Sequence, residues 1–332
     1  MNNPIFIVGP HKSGTTLLLR LLDNHPELFS IPFETHIFQL SGRWVDYRGR
    51  KTYPQDLSFK EIKDNFKKHI KKINTVKQDF SHDSSSRIGM FNLSIFNQKI
   101  EKEVDDFKDL VELYFQAIYA SFYEEDYVET KRFVEKSVEH DEFVPLLKKL
   151  FPDAKFIRVL RNPYSNLVSY RRYLQKAVNK GKYPKISVPL LSLKNSFYHM
   201  YRNLELFPDS YHVIKYEDIL TNPEKSMKEL ADFIGVKYDP ILLKPTIKGK
   251  LWLGNSSLNK QFQGISADNL EVWKKEINTL EKYYITKYFR KILYDYDYPI
   301  LSQPRKSRFL PVKKEKLFTY IFNRSLDYNV FM

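Results

Sequence analysis

The sequence predicts an α/β protein, a parallel β-sheet flanked by helices. Three observations predict it. Short apolar runs alternate with longer segments of helical periodicity, the pattern of strand–helix–strand units. The runs are apolar throughout, as strands buried on both faces are. The first run also passes through a glycine turn directly into a helix start.

Taken in order, Ile5–Val8 reads as the first strand and Thr15–Asn24 as the helix that follows it. A second short strand precedes Glu34. From about Thr35 to Tyr127 the periodicity is mostly helical, broken by polar turns such as Ser81–Arg87. This stretch, residues 35–127, is expected to be a helical insertion, a lid over the sheet's C-terminal edge. Arg132–Val134, Phe156–Leu160 and His212–Tyr216 read as further buried strands. Helical patterns at Phe143–Phe151, Tyr164–Val178 and Pro223–Ile234 lie between and after them, and Asp268–Tyr294 reads as one or two more helices. Residues 1–299 are thus expected to form one domain, and 300–332 a basic C-terminal extension containing Pro304 and Pro311.

Of 332 residues, 42% are hydrophobic and 15% aromatic, enough for a substantial core and incompatible with a disordered chain. There is no cysteine, so disulfides, thiolate metal sites and cysteine nucleophiles are excluded. No apolar run approaches the roughly 18 residues that span a bilayer, and no segment resembles a signal peptide. A cytoplasmic location is the expectation. The net charge of +14 favours an anionic partner. Leu301–Met332 carries seven basic residues against two acidic ones, and Lys60–Lys72 holds a second basic cluster at helical spacing. A nucleic-acid partner would rest on this charge alone, and none is expected.

The first strand leads into Gly9-Pro10-His11-Lys12-Ser13-Gly14-Thr15-Thr16 and then Leu17-Leu18-Leu19. Such a strand–glycine turn–helix start aims backbone N–H groups and a helix dipole at one point, an arrangement suited to a phosphate. It defines a P-loop-type nucleotide-binding fold. The residue after Gly14 is Thr15, where an NTPase has lysine; Lys12 lies inside the loop instead. The strand run Phe156–Leu160 ends in Arg161-Asn162-Pro163, with Ser169 eight residues after Arg161. Pro163 suits the first turn of a helix. Arg161 would point from the sheet's carboxyl edge, and with Ser169 it could bind a second phosphate.

Lys12-Ser13-Gly14-Thr15-Thr16-Leu17-Leu18 resembles the 5′-phosphosulfate loop of the sulfotransferase family, whose donor is 3′-phosphoadenosine-5′-phosphosulfate (PAPS). Arg161-Asn162-Pro163 with Ser169 resembles the same family's 3′-phosphate motif. Phe151-Pro152-Asp153-Ala154-Lys155-Phe156-Ile157 and Tyr216-Glu217-Asp218-Ile219-Leu220, followed by Asn222-Pro223, are similar to it as well. The similarity runs in order from Pro4 to about Pro299, with little recognisable between about Trp44 and Tyr127. The resemblance implies PAPS as donor, 3′,5′-ADP as product and no metal. It implies donor contacts from His11, Lys12, Ser13, Gly14, Thr15, Thr16, Arg161, Ser169 and Tyr216, with Ser256 or Ser257 in a late loop that closes over the donor. Glu34 resembles the catalytic glutamate of the carbohydrate and tyrosylprotein branches, and His36 keeps open the histidine used by the small-molecule branch. Lys136, in Glu135-Lys136-Ser137, resembles a second lysine beside the transferred group, which makes Lys12, Glu34 and Lys136 the expected catalytic set.

The expected activity is transfer of a sulfuryl group to an acceptor hydroxyl, on a carbohydrate or glycolipid given the glutamate-type base and the aromatic-rich insertion. A tyrosylprotein or small-molecule alcohol is the alternative within the family. A P-loop kinase or NTPase is the alternative outside it, but it would need a lysine after Gly14 and an acidic Mg²⁺ ligand at a strand end.

Overall fold

A computed structural model describes residues 3–43, 56–75, 89–177, 181–182, 184–254 and 261–302. Five parallel strands form the central sheet: β1 (Ile5–Val8), β2 (Leu28–Ser30), β3 (Arg132–Lys136), β4 (Lys155–Leu160) and β5 (Tyr211–Lys215), in the order β2-β3-β1-β4-β5. The four residues of β1 are fully buried at its centre. Residue 7 fixes the register, because Ile7 lies opposite Lys136 on one side and Ile157 on the other. The chain leaves β1 toward β2 and β3 and later places β4 on the opposite side. The gap between β1 and β4 is therefore a topological switch point, where open parallel sheets bind ligands.

The described residues hold twelve α-helices: α1 (Thr15–Leu21), α2 (Ile37–Leu40), α3 (Phe59–Thr75), α4 (Leu93–Ile100), α5 (Phe107–Tyr123), α6 (Val144–Leu150), α7 (Pro163–Ala177), α8 (Ser187–Leu206), α9 (Tyr216–Thr221), α10 (Pro223–Ile234), α11 (Thr279–Tyr288) and α12 (Arg290–Asp295). The period-2 alternation of each strand divides them between two cores. Ile5, Ile7, Val134, Ile157 and Val159 pack against Leu18, Leu21, Met227 and Leu230 of α1 and α10. Phe6, Val8, Phe133, Phe156 and Leu160 point the other way, into a larger core shared with α3, α4, α5, α7 and α8. No described helix is long and apolar enough to cross a membrane.

The described aromatic residues between 35 and 127 are largely used in this core. Phe66 and Tyr114 stack face to face with centroids 3.8 Å apart, and Phe91, Phe96, Phe107 and Phe115 are buried. Phe29 of β2 meets Tyr119, Phe122 and Phe133 at centroid distances of 5.0, 5.7 and 5.6 Å, fastening α5 to the sheet.

Helix ends follow local chemistry. Pro163 opens α7 and Asn162 Oδ1 accepts the Tyr164 N–H at 3.0 Å, while Pro223 opens α10 and a left-handed Gly235 closes it. Several boundaries differ from the sequence expectation, among them the end of the first helix, at Leu21 rather than Asn24, and two bear on the site. β3 continues through Glu135 and Lys136, because buried hydrogen bonds satisfy the Glu135 carboxylate. β5 stops at Lys215, and Tyr216 begins α9 with Glu217 and Asp218 in its first turn, where acidic side chains complement the helix dipole.

Truncating Phe29 to alanine should destabilise the fold by about 3–5 kcal/mol, since the aromatic cluster cannot collapse into the void. Tyr294→Ala, at a side chain 79% exposed, should stay within about 0.5 kcal/mol of wild type. Chemical denaturation of both variants checks this, and equal effects would contradict the packing described.

Candidate active site

Across the sheet, the carboxyl edge is a row of polar groups. Glu34 follows β2, Lys136 ends β3, the turn 9–16 follows β1, Arg161 follows β4 and Tyr216 follows β5. Strand order therefore brings together residues that are more than 200 positions apart in the chain.

The turn after β1 is built around two glycines. Ser13 N–H closes it on the Pro10 carbonyl at 3.2 Å. Gly9 and Gly14 have φ of 149° and 106°. A Cβ at Gly14 would run into the Tyr216 ring, and one at Gly9 would lie 2.9 Å from the Val159 carbonyl. Both positions therefore exclude larger residues on conformation and on space. Lys12 adopts φ 65°, a left-handed conformation that costs a non-glycine residue about 1–2 kcal/mol. Its carbonyl accepts Arg161 Nη1 at 2.8 Å, so the two turns singled out in the sequence are joined directly. Ser13 is fully buried, and its hydroxyl has no hydrogen-bond partner among the described residues. Thr15 is buried and Thr16 half-buried at the start of α1.

Arg161 is fixed on three sides. Its Nε donates to Ser165 Oγ at 3.0 Å, and its guanidinium lies 4.6 Å from the Tyr216 ring centroid. The following turn is tied to α9, because Asn162 N–H donates to Glu217 Oε1 at 3.0 Å while Tyr298 donates to Glu217 Oε2 at 3.0 Å. Ser165, which the sequence does not single out, is the hydroxyl on Arg161. Ser169 is buried one turn further along the same face of α7.

Glu34 carries the acidic charge of the site. Oε1 accepts a hydrogen bond from Lys136 Nζ, and Oε2 lies 3.6 Å from His36 Nε2. Burial pushes the carboxyl upward, but Lys136, His36 and His11 outweigh it and hold its pKa down to about 2. His69 of α3 donates from Nε2 to the Glu34 carbonyl at 2.9 Å, and its ring lies 5.5 Å from that of His36. Burial lowers the His69 pKa to about 4, so this ring is neutral near pH 7. On the other flank, His11 packs on Tyr170 with centroids 5.0 Å apart, and Lys12 Nζ lies 5.7 Å from the Tyr173 ring centroid. Nothing in the sequence marks His69, whose role depends on how α3 docks. Ser256 and Ser257 lie outside the described residues.

Lys12 registers the resulting field. Burial first, then the neighbouring Arg161 and Lys136 charges, lower its pKa to about 8, while Glu34 works in the opposite direction. Cations gathered in this way favour the binding of an anion.

The chain is an α/β protein with a parallel sheet, and the glycine turn 9–16 and Arg161 meet at the sheet's switch point. A sequence profile of the sulfotransferase family matches residues 4–240, and the chain belongs to that family. Two of the solved structures that share its fold are sulfotransferase domains. The sulfotransferase domain from the curacin biosynthetic pathway is 20% identical, with a TM-score of 0.56, covering 90% of this chain and 99% of that one. The sulfotransferase domain of the Synechococcus PCC 7002 olefin synthase is 19% identical, with a TM-score of 0.51, covering 87% and 96%. An uncharacterised protein of Aquifex aeolicus (strain VF5) is 22% identical over 284 residues, which are 82% of this chain and 30% of that relative. The chain thus spans less than a third of that relative's length.

Because Lys12 titrates near pH 8 and an anion favours its charged form, binding of adenosine 3′,5′-bisphosphate should weaken as pH rises from 7 to 9. Near pH 8 the complex should take up a proton, measurable by calorimetry in buffers of different ionisation enthalpy. Lys12→Ala should flatten this dependence. An unchanged slope in the variant would remove Lys12 from the anion site.

Proposed function

We propose that the chain transfers the sulfuryl group of PAPS to an acceptor hydroxyl, by in-line displacement with Glu34 as general base. The observation that supports this most is the hydrogen bond from Arg161 to the Lys12 carbonyl, which brings together the two turns to which this reading assigns the phosphates. The groups present suit a donor with a phosphate at each end of its ribose. Ser13 offers a buried hydroxyl without a partner, Lys12 and Lys136 offer ammonium groups, and Arg161 with Ser165 and Ser169 offers the second site. Tyr216, packed on Gly14 and Arg161, stands between them as the nucleotide-facing aromatic.

The donor supplies an activated sulfuryl group on a phosphate leaving group. The chain supplies position and charge. Lys12 and Lys136 meet negative charge developing on the leaving phosphate, each well-placed donor contributing about 3–4 kcal/mol. Glu34 is ionised at every physiological pH and receives the acceptor's proton, an effect of about 10² to 10⁴ in rate. An anion sharing Lys136 weakens the Glu34–Lys136 pairing and so raises the carboxyl's proton affinity.

The acceptor proposed is a sugar or glycolipid hydroxyl. The glutamate at position 34 supports it. The aromatic residues of the helices between β2 and β3 do not add to that support, because the described ones mostly belong to the core. The expected product of donor turnover is adenosine 3′,5′-bisphosphate.

Incubation with radiolabelled donor and separate pools of carbohydrate, glycolipid, tyrosyl peptide and small alcohols should label the sugar-containing pools. Lys12→Ala should lower kcat by two orders of magnitude or more. Arg161→Ala should mainly weaken bisphosphate binding, and Glu34→Gln should lower kcat while leaving that binding within about two-fold. Wild-type turnover in Glu34→Gln would transfer the base to His36. Unchanged bisphosphate affinity in Arg161→Ala would dissolve the second anion site.

A further inference from the structure

Glu135 is a fully buried carboxylate that the transfer chemistry leaves unused. It lies on β3 opposite Phe6, on the sheet face that otherwise presents Phe133 and Phe156 to the larger core. An ion at such a place is costly, and an apolar residue of similar volume would commonly fold as well or better. Its hydrogen bonds show what it holds. Oε1 accepts Ser137 Oγ at 2.6 Å, Thr35 Oγ1 at 2.7 Å and the Thr35 N–H at 3.4 Å, and Oε2 pairs with His140 Nδ1 at 2.7 Å. Ser137 Oγ in turn accepts the His36 N–H at 3.3 Å.

These bonds begin where the sheet ends. The β2–β3 pairing stops at Ser30–Val134, with one further backbone bond from Ile31 N–H to the Val134 carbonyl at 2.9 Å. Beyond it, the chain carrying Glu34 and His36 is tied to β3 by side chains. The Glu135 carboxylate and the Ser137 hydroxyl stand in for ladder acceptors at Thr35 and His36. Lys136, between them in sequence, meets Glu34 from the same strand end.

We propose that Glu135 is a positioning residue of this site: through Thr35 and Ser137 it pins residues 34–36 to β3 and so sets Glu34 against Lys136. The proposal rests on the assignment of Glu34 as the base. Burial pushes the Glu135 carboxyl upward, but His140, Ser137 and Thr35 outweigh it, so all four contacts are made to an ionised acceptor. His140 is itself buried, edge-on to Phe6 and Phe38 at centroid distances of 6.1 and 5.2 Å, which locks the carboxylate in turn. This is the outer support through which an enzyme orients a charged group it cannot fix by packing alone.

Two variants test it, Glu135→Gln and the near-isosteric Thr35→Val, each measured alone and combined with Glu34→Gln. Each should lower kcat for labelled-donor transfer by about 10- to 100-fold while leaving calorimetric binding of adenosine 3′,5′-bisphosphate within about two-fold. Combined with Glu34→Gln, neither should cost anything further, because both act through the same carboxylate. Crystal structures of the single variants should show residues 34–36 displaced from β3 and Glu34 no longer hydrogen-bonded to Lys136. Full turnover with residues 34–36 in place, or kcat reductions that multiply with that of Glu34→Gln, would overturn the proposal. If Glu34→Gln alone retains wild-type turnover, the base assignment fails, and the position of residues 34–36 in the two crystal structures still decides the role of Glu135.

Discussion

Repulsion among like charges is the constraint around which this site is organised. Lys12, Lys136 and Arg161 come from three adjacent strand ends and act on one another through a partly buried region, where charges interact more strongly than in water. Glu34 offsets one of them through its hydrogen bond with Lys136. Burial lowers the proton affinity of Lys12 first, and the neighbouring Arg161 and Lys136 charges lower it further. A multiply charged anion placed among these cations would relieve that repulsion.

Holding cations together demands a rigid frame, and the sheet provides it. β1 is buried on both faces and hydrogen-bonded on both sides, so the turn at 9–16 starts from a fixed point. The strained backbone at Lys12, the two glycines and the Tyr216 ring over Gly14 leave that turn little freedom. Arg161 is held by Ser165, Tyr216 and the Lys12 carbonyl together. Local strain of about 1–2 kcal/mol at one residue persists because its surroundings over-determine it, as is common where function sets the geometry.

Much of this is legible in the sequence, and for identifiable reasons. Strands such as Ile5–Val8 and Phe156–Leu160 are short, wholly apolar and bounded by turn residues, so local composition is enough to place them. Gly9, Gly14 and the Asn162-Pro163 pair announce turns because few other residues fit those backbones. What escapes depends on tertiary contacts. Glu135 is a poor strand residue by propensity, and its pairing with β1 and its buried partners Thr35, Ser137 and His140 carry β3 past Val134. His69 is one basic residue in a helix full of lysines until α3 docks and brings it to the Glu34 carbonyl. Ser165 and Ser169 share a helix face, and periodicity alone does not choose between them. The aromatic wealth of α3, α4 and α5 suggests a ligand platform but packs as core, since stacked rings such as Phe66 and Tyr114 serve stability as readily as recognition.

The most direct test of the two-site cleft is a crystal structure of the chain with adenosine 3′,5′-bisphosphate. The 5′-phosphate should sit within hydrogen-bonding distance of Ser13 Oγ and the Lys12 ammonium. The 3′-phosphate should lie on the Arg161 side of the cleft, with the base near Tyr216. A nucleotide bound with both phosphates away from the 9–16 turn, or with Arg161 making no contact to it, would contradict the account.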